Sequence, residues 1–147
     1  MKHEILVYNQ TRSKVPEKFI LDVILRTFDF LKLKQPAELA VLIVSAEEIR
    51  KLNKIWRKKN YTPDELSFGL NSRKQAGRAK FAKKQNKMLE LGEIVVNVNK
   101  ISDKNNLSKI LIHSLLHLLG YDHERSTAEA KKMEHLEEKI LNNLEKV

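Results

Sequence analysis

The chain has 147 residues, with 28 Lys and Arg against 19 Asp and Glu, five His, no Cys and a formal net charge of +9. At 41% apolar and 32% charged it can close an ordinary core, and its charges are too mixed for a disordered polyelectrolyte, so a single domain over residues 1–147 is expected. The lack of cysteine excludes disulfide scaffolds, thiol nucleophiles, Cys-ligated zinc and iron–sulfur clusters, so any metal site must be built from His, Asp and Glu.

Residues 4–8 alternate as a short strand. Pro16 suits a first helical turn, and Phe19, Ile20, Val23, Ile24, Thr27, Phe28 and Leu31 then recur at three-to-four spacing, which predicts an amphipathic helix. The branched run 39–44, the longest wholly apolar stretch, is too short for a spanning helix and reads as a strand buried on both faces. Ser45 with Glu48 forms a capping box, and Ile49, Leu52 and Trp56 mark one face of a second helix ending near Lys58. A loop with Pro63 leads to a strand over 66–70, and a further strand of buried type covers 94–98. A helix over 103–119 is apolar at Leu107, Ile110, Leu111, Leu115 and Leu118 and stops at Gly120. A last helix starts at the capping box Ser126 to Glu129 and presents Met133, Leu136, Ile140 and Leu144. The order β-α-β-α-β-β-α-α predicts an α+β or α/β fold, a small mixed sheet of about four strands surrounded by helices. No secretory signal is seen, and a cytoplasmic protein without a membrane partner is expected.

The positive charge favours polyanions, because each phosphate neutralised by Lys or Arg releases a condensed counterion. The most basic stretch holds Arg73, Lys74, Arg78, Lys80, Lys83, Lys84 and Lys87 around Phe81. It reads either as a solvated excursion or as a surface for an RNA backbone.

Three histidines fall within eleven residues, in His113-Ser114-Leu115-Leu116-His117-Leu118-Leu119-Gly120-Tyr121-Asp122-His123. Helical positions four apart lie one above the other, so His113 and His117 can reach one metal from one face at the metal centre's helix end. Gly120 tolerates positive φ, which lets the chain turn back and bring in His123. Three imidazoles leave one tetrahedral position for water, the arrangement of a hydrolytic zinc site: one Zn²⁺, three His ligands and a water. His3 and His135 are not expected to be ligands. The offsets match the H-E-x-x-H-x-x-G-x-x-H proteases, but the position of their glutamate base is Ser114, which cannot take that proton near neutral pH.

These residues resemble the signature H-G-x-x-H-L-x-G-Y-D-H of the YbeY family of bacterial rRNA maturation factors, with Ser114 in place of glycine. Leu52-Asn53-Lys54-Ile55-Trp56-Arg57 is similar to that family's L-N-x-x-[aromatic]-R, Asp64-Glu65-Leu66-Ser67-Phe68 to its T-D-V-L-S-F-P segment and Leu91-Gly92-Glu93-Ile94 to its L-G-D-I. Pro63, Glu65 and Gly69 depart from the pattern where the family has threonine, valine and proline.

The resemblance implies a metal-dependent endoribonuclease with zinc on His113, His117 and His123 and single-stranded RNA as substrate. It further implies a role in processing the 3′ end of small-subunit rRNA and in ribosome quality control, with contacts to the small subunit and no DNA partner. It singles out Arg57 for substrate binding and catalysis, since a guanidinium reads phosphate bidentately and stabilises charge developing on it. The alternative for Arg57 is a surface cation favoured by a helix C-terminus. Asp122 either hydrogen-bonds a ligand histidine or caps the turn. Attack on the phosphodiester by a metal-activated water and attack by the RNA's own 2′-hydroxyl both fit. The rival reading is a non-catalytic ribosome-assembly factor with a structural metal site, binding RNA and protein.

Overall fold

The structure, a computed structural model, describes residues 2–69 and 88–145. Its elements are β1 (Glu4–Asn9), α1 (Glu17–Phe30), β2 (Ala37–Val44), α2 (Ala46–Arg57), β3 (Glu65–Gly69), β4 (Leu89–Asn97), a 3₁₀ turn (Val98–Lys100), α3 (Lys104–Leu118) and α4 (Thr127–Glu145). This is the order that the apolar periodicity predicts. Arg73, Lys74, Arg78, Lys80, Phe81, Lys83, Lys84 and Lys87 lie outside the described residues.

The strands form one mixed sheet in the order β1-β2-β4-β3. β1, β2 and β4 are parallel, and β3 lies antiparallel along the edge of β4. The main core lies on one face, where Leu39, Val41, Ile43, Ile94 and Val96 meet Ile20, Ile24 and Phe28 of α1 and Leu107, Leu111 and Leu115 of α3. A smaller cluster on the opposite face joins Val44, Leu66 and Val95 to Ile49 of α2. α2 covers only part of this second face, so the run 39–44 is not buried on both faces: Ala40 and Leu42 are half-exposed.

The helix starts follow their caps. The Ser45, Asp103 and Ser126 side chains accept from the backbone N–H three residues on, at 3.1, 3.2 and 3.1 Å. Trp56 departs from expectation. It is 67% exposed, with an edge-on contact to Phe68 of the edge strand β3, ring centroids 6.3 Å apart. The buried positions of α2 are Ile49 and Asn53. The Asn53 amide donates to the Tyr61 carbonyl at 3.1 Å, and the Asn97 amide donates to that of Pro63 at 3.3 Å. These two bonds tie down the loop between α2 and β3, and with it the position of Arg57 at the end of α2.

β4 starts earlier than its apolar run suggests, and a bulge interrupts its pairing with β2: Glu38 lies opposite Glu90, but Leu39 lies opposite Gly92. Gly92 has φ +119°, and a Cβ there would lie 2.1 Å from the Phe68 carbonyl oxygen. Only glycine lets β3 approach so closely. Val98 leaves the strand and opens the 3₁₀ turn. α3 is buried nearly all round, as expected of a helix packed between the sheet, α1 and α4.

Candidate metal centre

The last turns of α3 carry His113 and His117, and the helix ends in a Schellman arrangement. Gly120 N–H donates to the His117 carbonyl and Tyr121 N–H to that of Leu116, both at 3.0 Å, with Gly120 at φ +105°. The chain then reverses through a tight turn in which Asp122 Oδ1 accepts from Glu124 N–H at 2.9 Å. Asp122 therefore caps the turn. This reversal brings His123 back onto the helix end, as the glycine spacing predicts.

The three imidazoles form a near-equilateral cluster, with ring centroids 4.8 Å apart for His113–His117 and His117–His123 and 5.2 Å for His113–His123. One ring nitrogen from each lies within 4.8 Å of the others. His113 Nδ1 is 2.8 Å from Glu137 Oε1 of α4, which leaves its Nε2 free for a metal. His123 Nδ1 is buried and has no hydrogen-bond partner among the described residues. A buried ring nitrogen without a partner carries a desolvation cost that a cation would remove. The donor set thus fits one metal ion.

The electrostatics agree. The hydrogen bond to Glu137 is the main cause that raises the pKa of His113, opposed by burial and helped by the charges of Glu137 and Glu65. His117 is lowered, first by burial and then by the neighbouring His113 and His123, with Glu65 and Asp122 pulling the other way. Burial and the neighbouring rings thus hold His117 below the usual histidine range, which keeps its lone pair available for a metal.

The cluster opens into a cleft of about 610 Å³, whose walls include Arg57, Glu65, Tyr121 and Arg125. Arg57 therefore stands at the same cleft as the three histidines, although α2 and α3 are separate elements. His135 is exposed on α4. His3 is structural: its Nδ1 accepts from Ala37 N–H at 2.9 Å, and its ring lies 4.8 Å from that of Phe28.

Four residues at or beside the cleft are not singled out by the motifs: Glu65, Ser67 and Arg125 line it, and Glu137 stands behind His113. Glu137 lies on the same stripe of α4 as the buried Met133 and Ile140, and a carboxylate at that spacing on an apolar stripe was a legible signal. Arg125 carried none. Glu65 and Ser67 share the face of β3 that carries Ile94 and Val96 next to them on β4, the face that α3 covers. There Ser114 Oγ donates to Glu65 Oε2 at 2.8 Å, and Ser67 Oγ donates to the same oxygen at 3.2 Å. Ser114 and Glu65, two of the departures from the family pattern, are thus in contact.

A family model described as endoribonuclease YbeY matches residues 6–145. The endoribonuclease YbeY of Thermodesulfovibrio yellowstonii is 34% identical over 98% of this chain and 99% of its own length. That of Syntrophomonas wolfei is 32% identical over 96% and 97%. The solution structure of a Thermotoga maritima protein has the same fold, with a TM-score of 0.58 and 21% identity over 93% of this chain and 86% of that one. A match spanning β1 to α4, with the three histidines converging at one cleft, means that the chain belongs to the endoribonuclease YbeY family.

Proposed function

We propose that this chain is a metal-dependent endoribonuclease that cuts single-stranded ribosomal RNA. In this reading His113, His117 and His123 hold one zinc ion, and the protein matures the 3′ end of small-subunit rRNA and serves ribosome quality control in contact with the small subunit. The observation that carries the reading is the three-imidazole cluster, with its buried unpaired His123 Nδ1, in one cleft with two guanidinium groups. Zinc suits three imidazole donors, and its name among the candidates rests on that donor chemistry.

A bound zinc ion would supply positive charge to the phosphate oxygens as a Lewis acid. Glu137 holds His113 in the orientation and tautomer that present Nε2. Arg57 grips a non-bridging phosphate oxygen pair and stabilises the charge that grows there as the phosphodiester is attacked. Arg125, on the turn after α3, adds a second cation for the neighbouring phosphate. The lysines and arginines at 73, 74, 78, 80, 83 and 84 supply charge that binds the RNA backbone.

Cleavage of an unstructured RNA by metal-loaded protein tests the reading, with His117→Ala prepared identically and circular dichroism showing both to be folded. Cutting by the wild type alone is expected. No cutting by either, on naked RNA and on small subunits alike, would favour a non-catalytic assembly factor. The product ends distinguish the nucleophile, since a 2′,3′-cyclic phosphate reports attack by the ribose 2′-hydroxyl.

A further inference from the structure

We propose that Glu65 is the proton acceptor of the cleft, a carboxylate supplied from β3 rather than from the helix that carries the histidines. The inference rests on the endoribonuclease reading above. The position after the first histidine is Ser114, and a hydroxyl is not a base near neutral pH. Ser114 does not face solvent: it is fully buried, and its hydroxyl donates to Glu65 Oε2 at 2.8 Å. Ser67 donates to the same oxygen at 3.2 Å. Two hydroxyls on one oxygen fix the carboxylate's orientation, and among the described residues no hydrogen bond reaches Oε1.

Position completes the case. Glu65 lines the same cleft as His113, His117 and Arg57. It stands outside the set of donors that lie within 4.8 Å of one another, so it does not belong with the metal ligands. A half-buried carboxylate, oriented by two hydroxyls, lining the histidine cleft and outside the donor set, is placed to serve the attacking hydroxyl rather than the metal. In the reaction Glu65 takes the proton of that hydroxyl, whether water or the ribose 2′-OH. The freed electron pair forms the new O–P bond. The P–O5′ bond breaks with its pair on O5′, which is protonated by Glu65 or by solvent. Ser114 and Ser67 are positioning residues.

The test compares wild type, Glu65→Gln, Glu65→Ala and Ser114→Ala, each checked for fold by circular dichroism, on a single-stranded RNA. Glu65→Gln keeps an acceptor for both hydroxyls and is expected to lose about 10²- to 10⁴-fold in kcat. Its zinc affinity, from competition with a chelator, and its RNA affinity, from fluorescence anisotropy, should stay within about threefold of wild type, as a group that is neither ligand nor phosphate anchor requires. Added formate should restore part of the activity of Glu65→Ala, which loss of a merely structural residue would not permit. Ser114→Ala is expected to lose about tenfold, the worth of one hydrogen bond to a charged group. Glu65→Gln activity within threefold of wild type would overturn the proposal. So would a loss of zinc affinity, which would make Glu65 a ligand. A wild type that cuts no RNA would instead refute the endoribonuclease reading itself, and this assignment with it.

Discussion

Replacing Glu137 by Gln tests whether α4 is part of the metal centre. The amide still accepts a hydrogen bond from His113 Nδ1 and keeps its shape, so the change removes charge and little else. Losing a partner of a metal-bound histidine costs about 10- to 100-fold in metal affinity, or roughly 1.4 to 2.7 kcal/mol. The 2.8 Å distance argues for the upper end, since charge-assisted bonds are about twice as strong as neutral ones. Exposure argues for the lower end: the two side chains are 32% and 28% exposed, so solvent screens the pair. We expect about 10- to 30-fold weaker zinc binding, measured by chelator competition near pH 8, where protons compete little for the imidazoles.

The metal-free protein gives a second readout. Glu137 raises the pKa of His113, so its contribution to stability is fully present below the unfolded value of 6.5 and is lost as pH rises through the folded value. Glu137→Gln should therefore destabilise the metal-free protein at pH 5.5 more than at pH 8, and should move the NMR titration of His113 downwards. Unchanged zinc affinity together with an unmoved titration would refute the role given to α4.

Arg57→Ala should lower kcat/KM on RNA by about 10²- to 10³-fold. Its melting temperature should change by no more than about 1 °C, because the side chain is exposed; wild-type activity would remove Arg57 from the mechanism. Gly92→Ala should cost about 3 kcal/mol or more in urea unfolding, since its Cβ meets the Phe68 carbonyl, and wild-type stability would show that β3 does not lie so close. Gly120→Ala, with the same positive φ but nothing within 4 Å of the added carbon, should cost only about 1 to 2 kcal/mol, so equal losses for the two variants would contradict the packing. His3 has a lowered pKa, mainly through burial, so the unfolded chain binds its proton first and stability falls as pH drops below 6.5 towards the folded value. His3→Asn, which keeps an acceptor for Ala37 N–H, should flatten that fall between pH 7.5 and 5.5; an identical slope would refute the assignment.

What could be read in the sequence was local. The element order follows from apolar periods, and the histidine cluster from two histidines four apart and a glycine three residues further on, all within one helix end and its turn. Trp56 shows where local reading stops: its spacing from Ile49 and Leu52 is that of a buried face, yet the packing of α2 leaves the indole exposed. Glu137 and Glu65 reach the histidines from 24 and 49 residues away: the stripe of α4 shows that Glu137 faces inward but not which group it meets, and nothing local places Glu65.

Glu65 shows why the missing part was missing in principle. Both faces of this sheet carry apolar clusters, one under α1 and α3 and a smaller one under α2 around Leu66. An apolar Leu66 therefore fits either face, and alternation along β3 cannot say whether Glu65 meets solvent, α2 or α3. The choice is made by the register of β3 on β4, which pairs Leu66 with Val95 and Glu65 with Val96. That register in turn needs the close approach that Gly92 permits. A carboxylate beside the histidines is thus fixed by a glycine on another strand, and a reading that looked for the base next to the first histidine found only the serine that holds it.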